Sequence, residues 1–478
     1  MKRLFIRLVS VVSLIALMGA GCTKGIPLET QKASQQLTLN VWGVVDDIDV
    51  YQDTFTQYRA LHPNVSFNFR RLRLEEYEDK LLNGFADDRG PDIFLVHNTW
   101  VGKYLSKTTP MPLSTKVAYA VVAGTLKKET TWELRTEPSI TLREVKEQFA
   151  DAVLGDAIRV VSVPVVGGAD PNATTRQERL VAAPIWLDTM ALYYNKDLLN
   201  AAGIPTPAEH WEEFQEQVKK LTKRDAEGKI LQSGAAIGTA KNVERATDLL
   251  AALMMQNGAQ MTDAAGNPRF DQVPEGTVTE RAVPPSYQAA EFYADFANPA
   301  KETFTWDASR PNSLEAFIAG KTAFFFGYSY HVDQIKARAP KINLGVTKLP
   351  QIEGNPAKNI ANYWMWVVSK KSANQDTAWN FLNFLMKADT SKALLLKMKR
   401  PAARKSLLPD QFSEEVVGVF ASQVLTAQSW YRGASPQVVD SAFAVLIEAG
   451  LSGGQRLGEA MQFAANQIRQ TMRGSADE

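Results

Sequence analysis

Cysteine is what this 478-residue chain has least of: Cys22 is the single one. One thiol makes no intrachain disulfide, so stability must come from core burial. Histidine is scarce as well, and His62, His97, His210 and His331 lack metal-ligand spacing. An excess of either charge is also missing. Lys+Arg number 53 and Asp+Glu 52, a net charge of +1, which leaves no electrostatic footprint for nucleic acid or another polyanion. No Gly-x-Ser-x-Gly elbow, phosphate-binding loop or dinucleotide fingerprint stands at a strand–helix junction. No internal repeat or low-complexity run interrupts the chain. No metal and no cofactor is expected.

The length gives a prior of roughly two to three domains, and an apolar share of 45% is ordinary for a large globular core. At the start, Lys2, Arg3 and Arg7 flank an apolar run, Leu8–Met18, broken by Ser10 and Ser13. A membrane span needs about 20 apolar residues, so residues 1–21 read as a signal peptide. Gly19-Ala20-Gly21-Cys22 resembles a bacterial lipoprotein cleavage box, in which the cysteine is acylated. Gly19 stands where that box favours leucine. Cys22 is therefore the candidate lipidation site, against an ordinary secretory signal with an incidental thiol. Residues 22–36, polar and aperiodic, read as a tether from the cell envelope, at the outer face of the cytoplasmic membrane or in the periplasm.

Beyond the tether, strand and helix patterns alternate. Leu37–Val45, Val65–Arg71 and Ile93–Val96 read as strands; Tyr51–Leu61 and Glu75–Phe85 read as helices. This order predicts an α/β lobe with a mainly parallel sheet, whose ligands sit outside the strand ends. Residues 118–178 are less regular and read as an insertion, with a helical stretch at Leu142–Val153. Helices are predicted at Trp211–Leu221, Val243–Gln256, Tyr287–Phe296, Ser313–Ala319, Ala378–Lys387 and Thr390–Met398. Thr322–Phe326, Ile342–Leu349 and the aromatic-rich Ile360–Val368 read as strands, and Glu414–Ile468 as helix broken near Gly433.

The segment Val181–Phe214 is the most informative. Val181-Ala182-Ala183-Pro184-Ile185-Trp186 has a buried-strand pattern, and Asp188 then interrupts an apolar run that continues to Tyr194. A carboxylate there costs several kcal/mol unless it is paired or faces a polar cleft. Asp188-Thr189-x-Ala191-Leu192-Tyr193-Tyr194-Asn195-Lys196-Asp197-Leu198, followed by Ala202-Gly203-Ile204-Pro205 and Trp211, closely resembles the family-1 extracellular solute-binding proteins of ABC importers. Five further pieces fall in the same order: Leu39–Gly43, His62–Val65, Gly90-Pro91-Asp92-Ile93, Phe317-x-x-Gly320-Lys321-x-Ala323, and Val368–Ser372 with Ala378-Trp379.

The resemblance implies a two-lobed α/β periplasmic-binding-protein-like fold of the larger, type II kind. It implies a hinge that closes over a sugar or oligosaccharide, and a handover to ABC importer permease subunits by a monomeric protein that is not an enzyme. Lobe 1 is expected to comprise 37–187 and 367–420, and lobe 2 to comprise 188–361 and 421–478, with crossings near Trp186–Thr189 and Asn362–Trp366. A polyol or glycerol phosphodiester is the alternative ligand. A carboxylate-pair glycosidase or a polymer-holding surface protein stays open by motif, but neither accounts for the hinge-like landmarks.

Sugar sites combine aromatic platforms with a few carboxylates and amides. Asp188 is the leading candidate, at the family's acidic ligand position; its bland alternative is a salt bridge that pins the hinge. Trp186 is set either to stack on ligand or to pack the hinge. Trp42 with Asp46 or Asp47 follows the first strand, against a solvated helix start. Asn98 and Trp100 fall on a loop that touches ligand in the family. Tyr328 and Tyr330 stand where the family often has a tryptophan turn. Asn362, Tyr363 and Trp364 occupy the second crossing, where bulky rings would narrow the cleft and suit a short ligand. Trp430 and Tyr431 resemble a C-terminal ligand wall, against helix packing.

Overall fold

The computed structural model describes residues 27–123, 129–165, 173–274 and 283–473. The signal segment, Cys22, and the Gly167-Gly168 and Asp170-Pro171-Asn172 turns lie outside these residues. The chain first supplies β1 (Leu37–Gly43), β2 (Val65–Arg71), β3 (Ile93–His97) and β4 (Thr108–Thr109). Two pairs follow, β5 (Ser114–Ala123) with β6 (Glu129–Pro138), and β7 (Ile158–Pro164) with β8 (Thr174–Leu180). Then come β9 (Asp188–Thr189), β10 (Ala191–Asn195), β11 (Lys223–Arg224), β12 (Ile230–Ala235), β13 (Thr322–Gly327) and β14 (Leu344–Lys348). β15 (Asn359–Asn362), β16 (Trp364–Ser369) and β17 (Ala427–Gln428) are the last.

Two five-stranded mixed sheets result, ordered β2-β1-β3-β16-β4 and β11-β12-β13-β10-β14. In the first, β1 runs parallel to β2 and β3, and helices Ile48–Leu61 and Leu74–Ala86 make the crossovers. The helix at 74–86 buries Tyr77, Leu81 and Phe85 at core spacing, and every residue of β3 is buried. β16 returns antiparallel to β3, from Trp364 opposite His97 to Val368 opposite Ile93. In the second sheet β10 is antiparallel to both β13 and β14.

Each sheet has its own aromatic core. Phe55 stacks on Phe67 at 4.3 Å with Phe381 beside them in the first. Trp211, Phe214, Phe324 and Phe326 pack together in the second. Large rings bury the most area per side chain, and burial must offset chain entropy in a protein without disulfides.

A third sheet, β17-β15-β9, joins the two halves. Asp188 pairs with Asn362 and Thr189 with Ala361, while Asn359 and Ile360 pair with Ala427 and Gln428. Asn359 is fully buried and bonds Met190 N and O at 3.1 and 2.8 Å, with Gln423 Oε1 at 2.8 Å. The chain thus passes between the two halves three times, through β9, β15 and β17.

Several local expectations are corrected. Residues 181–186 form no strand, only bridges from Ala183 to Trp366 and from Trp186 to Ala402; the run is apolar because it is buried. The stretch Ile360–Val368 breaks at Tyr363 into β15 and β16, since one half belongs to each sheet. Helix Leu142–Val153 is two helices, Leu142–Gln148 and Asp151–Ala157, where Phe149 bridges to Arg404. Residues 114–180 hold two hairpins, and Tyr330–Arg338 is a helix that the periodicity did not announce. The end of the tether is docked: Leu28–Ala33 is helical, and the buried Asn64 donates to Ala33 O at 3.0 Å and Gln35 O at 3.2 Å.

Candidate functional site

Between the two cores lie two adjoining chambers, of about 640 Å³ and about 360 Å³. They share a wall of Leu74, Glu75, His97, Arg245, Asn362 and Trp364. The larger chamber adds Trp186, Asp188, Tyr330, Tyr363 and Arg400; the smaller adds Asn98, Trp100, Asp248, Trp430, Tyr431 and Asp440.

The strand ends build this place. β3 delivers His97, and the following turn delivers Asn98 and Trp100. Trp364, the first residue of β16, sets its ring edge-on to His97 and Trp100, both at 5.3 Å, and to Tyr77 at 6.0 Å. Asn98 donates to Ser429 Oγ at 3.0 Å, tying the turn to the third passage. Trp430 stacks on Phe443 at 5.5 Å, and the Tyr431 hydroxyl bonds Thr471 Oγ1 at 2.9 Å.

Asp188 is buried and fully engaged. Its Oδ2 accepts from Ser329 N at 2.9 Å and Ser329 Oγ at 2.6 Å, and its Oδ1 accepts from Thr189 N at 2.9 Å. Burial pushes its carboxyl up to about 6, while the Ser329 bonds and the Arg400 charge pull the other way. These bonds fix the Ser329 turn, which carries Tyr330 into the larger chamber, stacked on Tyr328 at 6.1 Å. Arg400 lies over the Trp186 ring at 5.1 Å.

Four of the sequence candidates line neither chamber. Trp42 is in the first core, with Arg70 over its ring at 5.3 Å. Asp46 grips Arg400 through two bonds of 2.9 Å, and exposed Asp47 holds Arg71 at 2.5 Å, so their oxygens serve wall arginines. Tyr328 is fully buried and donates to Asp248 Oδ2 at 2.6 Å. Tyr363 lines the larger chamber but sends its hydroxyl into the first core, to Asp156 Oδ2 at 2.6 Å.

Sequence reasoning missed Arg245, Asp248, Arg400 and Asp156. Arg245 adopts φ 55° and ψ 31°, a left-handed conformation that costs a non-glycine residue about 1 kcal/mol or more. Its guanidinium folds back on Asp248 Oδ2, with Nε at 2.8 Å and Nη2 at 2.7 Å. Burial, helped by the Arg245 charge, pushes His97 down to about 4, so the wall imidazole is neutral near pH 7. Flat indole faces beside hydrogen-bonding groups suit a ligand with both apolar faces and hydroxyls.

A profile of the bacterial extracellular solute-binding proteins matches residues 144–392, just over half of the chain. The chain belongs to that family. Among curated proteins, this solute-binding protein is 25% identical to the galactooligosaccharide-binding protein of Bacillus subtilis over 304 residues, 61% of this chain and 67% of that one. A putative binding protein of Brucella abortus is matched at 25% identity over 43% of this chain and 46% of its own length. Solved structures show the two-lobed fold. The cyclic α-maltosyl-1,6-maltose binding protein of Arthrobacter globiformis superposes with a TM-score of 0.65 at 16% identity, covering 92% of this chain and all of the other. A Thermotoga lettingae solute-binding protein bound with α-D-tagatose gives 0.64 at 16% identity, covering 91% and 99%.

Proposed function

We propose that this solute-binding protein captures a sugar or oligosaccharide between its lobes and delivers it to the permease of an ABC importer. The observation that carries the reading is the joined pair of chambers, walled by Trp100, Trp186, Tyr330, Trp364 and Trp430 with carboxylate, amide and guanidinium groups between them. Aromatic faces pack the CH faces of pyranose rings, and the polar groups fix hydroxyl positions. The sugar names of the B. subtilis relative and of the solved neighbours point the same way.

A ligand that touches Tyr330 and Arg245 on one side and Glu75 and His97 on the other favours the closed state, because it contacts both lobes only there. The three paired passages are the flexing element. The chain works as an exported monomer held to the envelope by acyl groups on Cys22, and it releases the solute unchanged.

A thermal-shift screen of the mature protein checks this, because a ligand that binds only the native state raises its melting temperature. Oligosaccharides are expected to raise it by several degrees at saturating concentration. A shift confined to polyols, glycerol phosphodiesters or amino acids would contradict the sugar assignment, and turnover of a glycoside would contradict the transport role.

A further inference from the structure

The waist where the two chambers meet has one wall residue from the second lobe, Arg245. Its left-handed backbone turns the side chain back over the first turn of helix Ala246–Gln256, onto Asp248. The hydrogen bonds that Asp248 receives converge on a single oxygen. Arg245 Nε, the Tyr328 hydroxyl and Asn362 Nδ2 approach Oδ2, at 2.8, 2.6 and 3.3 Å. Among the described residues Oδ1 receives none, and neither does any acceptor engage Arg245 Nη1. An open acceptor and an open donor thus belong to two paired residues that both line the smaller chamber.

We infer that Arg245 and Asp248 form a charge-neutral clamp for a vicinal diol on the sugar ring that spans the two chambers. One hydroxyl donates to Asp248 Oδ1 and its neighbour accepts from Arg245 Nη1. This inference rests on the sugar reading above and assigns the ligand chemistry at the waist. Because each charge neutralises the other, the clamp has no net attraction for phosphate or carboxylate ligands, which separates sugars from glycerol phosphodiesters. Because Asp248 Oδ2 also holds Asn362 of the second passage, the clamp is fixed to the hinge as well as to the second lobe.

Calorimetry on the mature protein tests it, with maltotriose and β-1,4-galactotriose as probes. The trisaccharide that binds is then compared with its analogues lacking one hydroxyl of the central ring. The wild type is expected to lose about tenfold or more in affinity when either hydroxyl of the clamped pair is removed, as for hydrogen bonds to charged groups. Arg245→Gln and Asp248→Asn are each expected to bind the parent trisaccharide at least about tenfold more weakly, and to lose little more on the deoxy analogue. Wild-type affinity indifferent to every central-ring hydroxyl overturns the clamp without any variant. So does an equal deoxy penalty in the wild type and both variants. A wild type that binds neither trisaccharide but binds glycerophosphocholine overturns the sugar reading and the clamp together, whereas trisaccharide binding unchanged by both substitutions overturns the clamp alone.

Discussion

Trp364→Ala is expected to weaken oligosaccharide binding by about 30- to 150-fold, because truncating a central indole that the ligand covers typically costs about 2–3 kcal/mol of binding energy. The ring belongs to both chambers and braces His97 and Trp100, so its loss removes a stacking face and loosens two neighbours. Trp364 is only partly buried in the free protein, so folding should suffer much less than binding. Trp364→Phe keeps a flat face and should lie between the two. Calorimetry with the best oligosaccharide from the thermal screen reads the effect. Unchanged affinity in the alanine variant would remove Trp364 from the site.

Asp156→Ala is expected to destabilise the protein by about 3 kcal/mol, the lower end of the cost of stripping one partner from a buried ion pair. Asp156 is buried, bonding Arg432 Nε through Oδ1 at 3.0 Å and the Tyr363 hydroxyl through Oδ2 at 2.6 Å. Burial raises its carboxyl, while the Arg432 charge, the Tyr363 bond and the Arg159 charge pull the other way. Without it, the two arginines repel and the Tyr363 hydroxyl keeps only the longer contact to Ala152 O at 3.4 Å. Arg432 is partly exposed, which is why the lower figure applies. The melting temperature should fall by several degrees. A double variant, Asp156→Leu with Arg432→Leu, should recover much of the loss, since an apolar pair replaces the ionic one. A melting temperature for Asp156→Ala equal to wild type would deny this cluster its role in holding the second and third passages to the first lobe.

Much of the fold was legible because its elements are strongly periodic. The run Leu37 to Val96 alternates strand and helix with clean stops, and Val65–Arg71 and Trp211–Leu221 have the bounds that their patterns predict. The hairpins at 114–180 were not read, because half-exposed strands such as Thr174–Leu180 carry mostly polar residues and no continuous apolar run. Val181–Trp186 misled for the opposite reason: every side chain from Val181 to Met190 is buried, and burial on all sides looks like a central strand.

At the site, aromatic residues after strand ends were visible in the sequence; which of them turn inward was not. Tyr328 and Tyr330 are two residues apart, yet one is sealed under Asp248 and the other lines the cleft. Arg245 was hidden because a left-handed residue before a helix has no signature in side-chain periodicity. Asp188 lines the larger chamber, and its oxygens pin the Ser329 turn through hydrogen bonds where a salt bridge was the expected alternative.

Small-angle X-ray scattering of the mature protein, titrated with the oligosaccharide that raises its melting temperature, tests the capture mechanism most directly. The radius of gyration should fall as the sugar saturates, in step with binding measured on the same sample, and should stay unchanged for Trp364→Ala at a concentration too low to fill that variant. Calorimetric saturation with no change in the radius of gyration would contradict capture by closure of the lobes.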